Sequence, residues 1–288
     1  MSRSRAALLA SCLLLLAGCG GVVQLEVVSD ECPLDDEKAF PGECGCGIAE
    51  ARCVPLKSAL AHRYAFDGSG AVARDEVGGA DGRIVNAELA GYGQVNLARG
   101  GLEQYVDLPN GIISELTSAT FEAWLIWDTP EPTQFWERIF DFGVSTAGED
   151  QRLDGQSYLF LAPARPRTAF RNAASNGEIL IDSLNPFPTD ATFHVAVVVD
   201  EDAQKLRLYL NAVDQGSVDL PQSLTTVEDV NNWLGRSQFA VDTQFGGSFL
   251  EFRIYRAALT QQQLVDSLAF GDSPAFLRPP QAENDSAP

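Results

Sequence analysis

The 288 residues are 45% hydrophobic and carry 40 acidic against 20 basic side chains, a formal charge of −20 at pH 7. A chain of this length and apolar content can bury a large core in one or two domains. Its acidity repels phosphate backbones and anionic head groups, which argues against nucleic acid as a partner and admits cations, although acidity also serves simply to keep a surface protein soluble.

Residues 1–18 set Arg3 and Arg5 ahead of an apolar run from Ala6 to Leu16 and close with Ala17-Gly18 before Cys19. This three-part layout is that of a signal peptide, and its apolar run is about half of the roughly 20 residues a membrane-spanning helix needs. The segment Leu16-Ala17-Gly18-Cys19 resembles the lipobox of bacterial lipoproteins, where slim side chains are threaded past a thiol carrying diacylglycerol. The resemblance implies cleavage after Gly18, lipidation of Cys19 and firm membrane attachment through two or three acyl chains. Gly20, in place of an aspartate, points to the outer membrane. Residues 19–31 read as a spacer.

With Cys12 in the signal and Cys19 acylated, Cys32, Cys44, Cys46 and Cys53 remain. In an oxidising compartment four cysteines imply two disulfides. Cys44 and Cys46 are too close in sequence to pair readily, which leaves 32–44 with 46–53, or 32–46 with 44–53. The C-x-C spacing argues against a zinc site. Residues 32–58 are therefore expected to form a small Cys-rich stalk held by its bridges. The stretch Cys32-Pro33-Leu34-Asp35-Asp36 with Pro41-Gly42-Glu43-Cys44-Gly45-Cys46-Gly47 resembles repeats related to thrombospondin type 3 repeats. Their calcium-binding D-x-D-x-D-G ladder is replaced here by Ile48-Ala49-Glu50-Ala51-Arg52, so no calcium is assigned to the stalk.

From about His62 the pattern changes to short alternating runs punctuated by Gly, Pro and Asn, the mark of an all-β sandwich or jelly roll. In Lys205–Asn211, Leu206, Leu208 and Leu210 face one way and Lys205, Arg207 and Tyr209 the other. In Phe249–Arg256, the alternation turns Leu250, Phe252 and Ile254 inward and Glu251 and Arg253 outward. Further strands are expected at 62–66, 93–98, 104–108, 119–128, 137–142, 157–161, 192–200 and 231–238. Phe193–Val199 is apolar on both faces and reads as a central strand. One short C-terminal helix follows: Thr260 with Gln263 makes a capping box, Leu259 and Leu264 staple it, and Gly271 ends it. Residues 271–288, rich in proline and poor in apolar groups, read as a disordered tail.

The segments Tyr64-Ala65-Phe66-Asp67-Gly68, Tyr105-Val106-Asp107-Leu108-Pro109, Thr120-Phe121-Glu122-Ala123-Trp124, Arg138-Ile139-Phe140-Asp141-Phe142-Gly143, His194-Val195-Ala196-Val197, Leu208-Tyr209-Leu210-Asn211, Trp233-Leu234-Gly235-Arg236-Ser237 and Glu251-Phe252-Arg253-Ile254-Tyr255 occur in this order. Together they resemble the laminin G-like jelly-roll domains of the concanavalin A-like lectin/glucanase superfamily, over residues 60–270. The resemblance implies a fold that hosts lectins, adhesion modules and hydrolases alike. It also raises a structural calcium ion joining the first and last strands, for which Asp67, Asp75 and Glu251 are the candidate hard oxygen ligands. Leu250 stands where many relatives have a further aspartate.

Catalytic machinery is hard to place. A glucanase needs two carboxylates at fixed separation, clustered as E-x-D-x-x-E on one strand of this fold, and no such run occurs. Glu122 and Asp128 share a strand face but lie six residues, roughly 20 Å, apart, and read as solvent-facing charges. His62 and His194 have no G-x-S-x-G serine to serve, and His194, within an apolar strand, reads as a hydrogen-bonded core histidine. Gly68-Ser69-Gly70 and Gly246-Gly247 lack the Lys-Ser/Thr of a phosphate loop and read as turns. For ligand binding the expected residues are Phe135 and Trp136, aromatic side chains beside the loop Thr129-Pro130-Glu131-Pro132, since aromatic faces stack on sugars and anchor protein interfaces. Trp127 reads instead as core. The expected function is a non-catalytic, lipid-anchored envelope protein whose domain binds carbohydrate or a cell-surface protein. A glycoside hydrolase or lyase with carboxylates from different strands is the alternative, and a purely structural envelope protein the third reading.

Overall fold

In chain order the elements are α1 (Leu56–Ala59), β1 (Leu60–Tyr64), β2 (Ser69–Gly70), β3 (Val72–Ala73), β4 (Gly82–Val85), β5 (Leu89–Ala90), β6 (Val95–Leu97), β7 (Tyr105–Leu108), β8 (Ala119–Trp127), β9 (Phe140–Ser145), β10 (Gly155–Ala162), β11 (Arg167–Arg171), β12 (Ile179–Asp182), β13 (Thr192–Asp200), β14 (Lys205–Leu210), β15 (Val213–Asp219), β16 (Asn231–Leu234), β17 (Gly247–Tyr255) and α2 (Gln261–Phe270). The computed structural model describes residues 31–32, 40, 42–46, 53–130 and 136–271. The signal peptide (1–18), Cys19, nearly all of the 19–31 spacer, Phe135 and the tail from 272 lie outside the described residues. No described helix is long and apolar enough to cross a membrane.

Two antiparallel sheets carry the domain. One has seven strands in the order β1-β17-β8-β13-β14-β15, with β6 also on β17, and the other eight in the order β12-β11-β10-β9-β16-β7-β4-β3. Strand alternation explains how they meet. Phe121, Ala123 and Leu125 of β8, Val195, Val197 and Val199 of β13, and Leu206 and Leu208 of β14 face Phe140, Phe142, Leu159, Leu161, Phe170 and Leu234 of the other sheet in one core. Trp127 belongs to that core, as its shared face with Phe121 and Leu125 predicts. β13 pairs with β8 and β14 and is covered on both faces, Phe193, Val195, Val197 and Val199 by the sandwich core and Ala196 and Val198 by the cluster under α2, which is why its sequence is apolar on both faces.

β17 departs from simple alternation. A bulge between Phe249 and Glu251 shifts its register against β8, so Phe249, Phe252 and Ile254 enter the core and Leu250 does not. Glu251 and Arg253 do point to the opposite face, but both are fully buried there, because α2 and the segment around α1 cover that side of the seven-stranded sheet. α2 starts as its sequence predicts: Thr260 Oγ1 accepts from Gln263 N–H at 3.2 Å, and the Gln263 side chain accepts from Thr260 N–H at 3.0 Å. Gly271 ends it with a positive φ of 63°.

The cysteines pair as Cys32–Cys46 and Cys44–Cys53, one of the two connectivities that the spacing leaves. The bridged stretch packs against the domain. Glu43 accepts from Leu56 N–H at 2.7 Å, Gln263 donates to the Val54 carbonyl at 2.9 Å, and Gly45 lies against Gln262.

Candidate functional site

The outer face of the eight-stranded sheet carries a row set by register: Arg83, Asp107, Trp233, Asp141, Phe160, Ala169 and Leu180 stand side by side on neighbouring strands. Since Phe140, Phe142, Leu159, Leu161 and Phe170 turn inward, Asp141, Tyr158, Phe160 and Ala169 must turn outward. Tyr158, Phe160, Ala162 and Ala169 form a small apolar cluster of their own, packed under Trp136, Leu180 and Phe239.

An open pocket of about 230 Å³ lies here, lined by Trp136, Arg138, Phe160, Arg167, Glu178, Phe239 and Asp242. Arg138 is its keystone. Its guanidinium, 2% exposed, sits 3.9 Å over the Phe160 ring and within 6 Å of Trp136 and Phe239, a stacked cation–π arrangement. It pairs with Asp242 at 2.9 Å and Asp141 at 3.3 Å, and donates to the Trp136 carbonyl at 2.6 Å. That last bond holds Trp136 in a left-handed conformation, φ 63°, which costs energy for a bulky residue and persists where surroundings enforce it. Beside the same ring lie Arg165 at 5.5 Å and Arg167 at 5.3 Å. Arg167 is held by Asp182 through bonds of 2.7 and 3.0 Å, and Glu178 accepts from the Tyr158 hydroxyl.

Glu137, next to Trp136, fixes the base of this loop. Fully buried, it accepts from Arg99 at 2.7 Å and from the Trp127 indole at 2.8 Å. Below the pocket, burial pushes the Asp141 carboxyl up to about 7 in spite of Arg138 and the Gln238 N–H, and Asp141 Oδ1 has no hydrogen-bond partner among the described residues. Burial likewise raises Asp242, against the opposing pull of Arg138.

Of the two aromatic residues expected to bind ligand, Trp136 is half-buried at the pocket rim and Phe135 falls outside the described residues. The neighbours of Trp136 in the pocket, Arg138, Phe160, Arg167 and Phe239, carry no joint sequence signal, because three separate strand pairings and a loop bring them together.

The calcium candidates are not brought together. Asp75 accepts from backbone N–H groups of Arg63, Val77, Gly78 and Ala80 at 2.9–3.1 Å and meets His62 Nδ1 at 2.7 Å. Burial works against its charge, but these donors win and hold its carboxyl well below the usual range. Glu251 is gripped by Arg63 at 2.8 and 2.9 Å and by Arg253. Asp67 lines a separate hollow with Ser69, Arg74 and Asp81. Among the described residues no three His, Cys, Asp or Glu side chains gather as a metal site.

Glu122 is not a solvent-facing charge. It is fully buried beneath α2, 3.0 Å from His194 Nε2, and accepts from Ser267 Oγ at 2.7 Å. Burial opposes its ionisation, yet His194 and Arg253 hold its pKa below the ordinary value. Ser267 also accepts from Arg253 at 3.0 Å, and Arg253 lies 4.2 Å over Trp124. Serine, histidine and carboxylate thus meet, but in the wrong order for nucleophilic catalysis: Ser267 and His194 both address Glu122, so the histidine does not receive the serine proton. The hydrogen-bonded buried state predicted for His194 is what the structure contains.

A family model described as the concanavalin A-like lectin/glucanases superfamily matches residues 99–265, more than half of the chain. No curated protein matches the chain. Among solved structures, domain 4 of a GH43 extracellular arabinanase from Geobacillus stearothermophilus, in complex with arabinotriose, aligns with TM-score 0.50 and 21% identity over 72% of this chain and 97% of that one. A Trypanosoma rangeli sialidase aligns with TM-score 0.53 and 16% identity, over 83% of this chain but 36% of the enzyme. Likeness at these identities is likeness of fold.

Proposed function

This chain belongs to the concanavalin A-like lectin/glucanase superfamily, and on that basis we propose that it is a non-catalytic, carbohydrate-binding protein of the cell envelope, anchored through a lipid on Cys19. The observation that carries the reading is the Trp136 pocket. It combines an apolar floor and rim, Phe160, Trp136 and Phe239, with charged hydrogen-bonding groups in Arg138, Arg167, Glu178 and Asp242, the mixture by which small polar ligands are oriented. Aromatic faces take the C–H side of a sugar ring and the charged groups take its hydroxyls. The arabinotriose held by the structurally similar arabinanase domain lends the reading support. A binding role is favoured over hydrolysis because Glu122 and His194, the buried carboxylate and base, are sealed under α2.

Outer-membrane attachment rests on the sequence around Cys19 and Gly20. Metabolic labelling with a palmitate analogue is expected to mark the wild type and not Cys19→Ala. For the pocket, isothermal titration against a panel of oligosaccharides is expected to find a binder whose affinity falls at least about tenfold in Trp136→Ala, the scale of losing one aromatic anchor. Unchanged binding in that variant rejects the pocket, and turnover of any oligosaccharide in the panel rejects the non-catalytic role.

A further inference from the structure

The two arginines that line the Trp136 pocket are already paired with carboxylates, and this restricts the sugar it accepts. Arg138 is spent on Asp242 and Asp141. Arg167 is spent on Asp182 in a two-bond fork of 2.7 and 3.0 Å, and Arg165 is also engaged. Glu178 adds a further carboxylate to the lining, which accepts from the Tyr158 hydroxyl. Building on the carbohydrate-binding reading, we infer that the pocket selects a single uncharged sugar residue and discriminates against uronates, sialic acids and sulfated sugars.

An incoming carboxylate must displace an intramolecular one already seated in the fork geometry that suits guanidinium. It must also approach Glu178, whose like charge penalises it at short range. A hydroxyl meets neither obstacle, because paired carboxylates keep lone pairs to accept from it and paired guanidiniums keep N–H groups to donate to it. Size points the same way. At about 230 Å³ the pocket is smaller than the roughly 300–1,000 Å³ typical of drug-sized ligands, which suits one sugar ring with the rest of the chain outside. The charge of the whole molecule, −20, disfavours the approach of an anionic polysaccharide still further.

The test is titration of the full chain with matched disaccharides that differ only at the terminal C6: galactose- and glucose-terminated against galacturonate- and glucuronate-terminated. At least one neutral member is expected to bind about tenfold or more tightly than its uronate, with little dependence on salt. Asp182→Asn opens the Arg167 pair at a half-exposed site and is expected to narrow that gap by raising uronate affinity several-fold, in a salt-sensitive way. A uronate that binds the wild type as well as or better than its neutral match overturns the selectivity while leaving carbohydrate binding intact. An Asp182→Asn variant that folds normally and gains no uronate affinity overturns the charge-pairing mechanism. Binding of neither class by this panel, together with none across a broad glycan array, overturns the underlying carbohydrate-binding reading as well.

Discussion

Arg138 links the strained backbone of Trp136 to two buried carboxylates and an aromatic floor. Truncating it to alanine strands Asp141 and Asp242 and should destabilise the fold by about 3–5 kcal/mol, read as a lower midpoint in urea. Asp141 contributes a pH signature. Its folded pKa, raised to about 7 from 3.8, means the native state keeps a proton that the unfolded chain has lost, so its stabilising share is complete below about pH 4 and fades as pH climbs through about 7. Asp141→Asn should flatten that part of the stability profile. Asp75 works in the opposite sense: its lowered pKa gives stability that is present above the ordinary carboxylate range and is lost only as pH falls below it. With Asp75 and Glu251 already saturated by protein donors, melting temperatures in EDTA and in excess calcium should coincide, and a calcium-dependent rise would mean that the ligands rearrange. Much of this was unreadable from spacing. Trp136 stood out as an aromatic beside a loop, whereas Arg138 and Asp141 looked like an ordinary strand entry.

At the scale of elements, legibility followed burial. Strands with one or both faces in the core, such as β8, β13, β14 and β17, announced themselves through alternation or continuous apolar runs. Strands at or next to a sheet margin did not: β11, second from the edge, reads Arg-Thr-Ala-Phe-Arg and the edge strand β15 Val-Asp-Gln-Gly-Ser-Val-Asp, with too few core residues to show a period. β11 is the strand that brings Arg167 to the pocket, so the missed strand and the missed site residue share one cause. Glu122, Glu251 and Arg253 were misjudged for the complementary reason, since alternation identifies the face but not the helix that covers it. That helix was legible through its capping box. Thr260→Ala should cost about 1 kcal/mol, visible as a lower melting temperature, and earlier fraying of α2 should show as faster amide exchange near Ser267. In β9, Gly143 is a close-approach position where a Cβ would collide with the Ser157 carbonyl. Gly143→Ala should therefore disturb the β9–β10 pairing that sets Asp141 beside Phe160.

The whole molecule combines a sandwich, a disulfide-bridged stretch fixed against its C-terminal helix and, on the reading of its N-terminal sequence, a lipid. Glu43, Gly45 and Val54 of that stretch contact Leu56, Gln262 and Gln263, and peptide mapping should recover the 32–46 and 44–53 bridges from the native protein. Of the four tryptophans, Trp124, Trp127 and Trp233 are 5%, 5% and 0% exposed, and Trp136 alone is half-open to solvent. Its fluorescence is thus a direct reporter on the pocket, and titration of the full chain with a neutral oligosaccharide that binds it is the most direct test of carbohydrate binding there. A saturable emission change that disappears in Trp136→Phe, with both proteins equally folded, is expected if the pocket holds the sugar. The same change in both proteins, or binding that leaves the wild-type emission untouched, would contradict it.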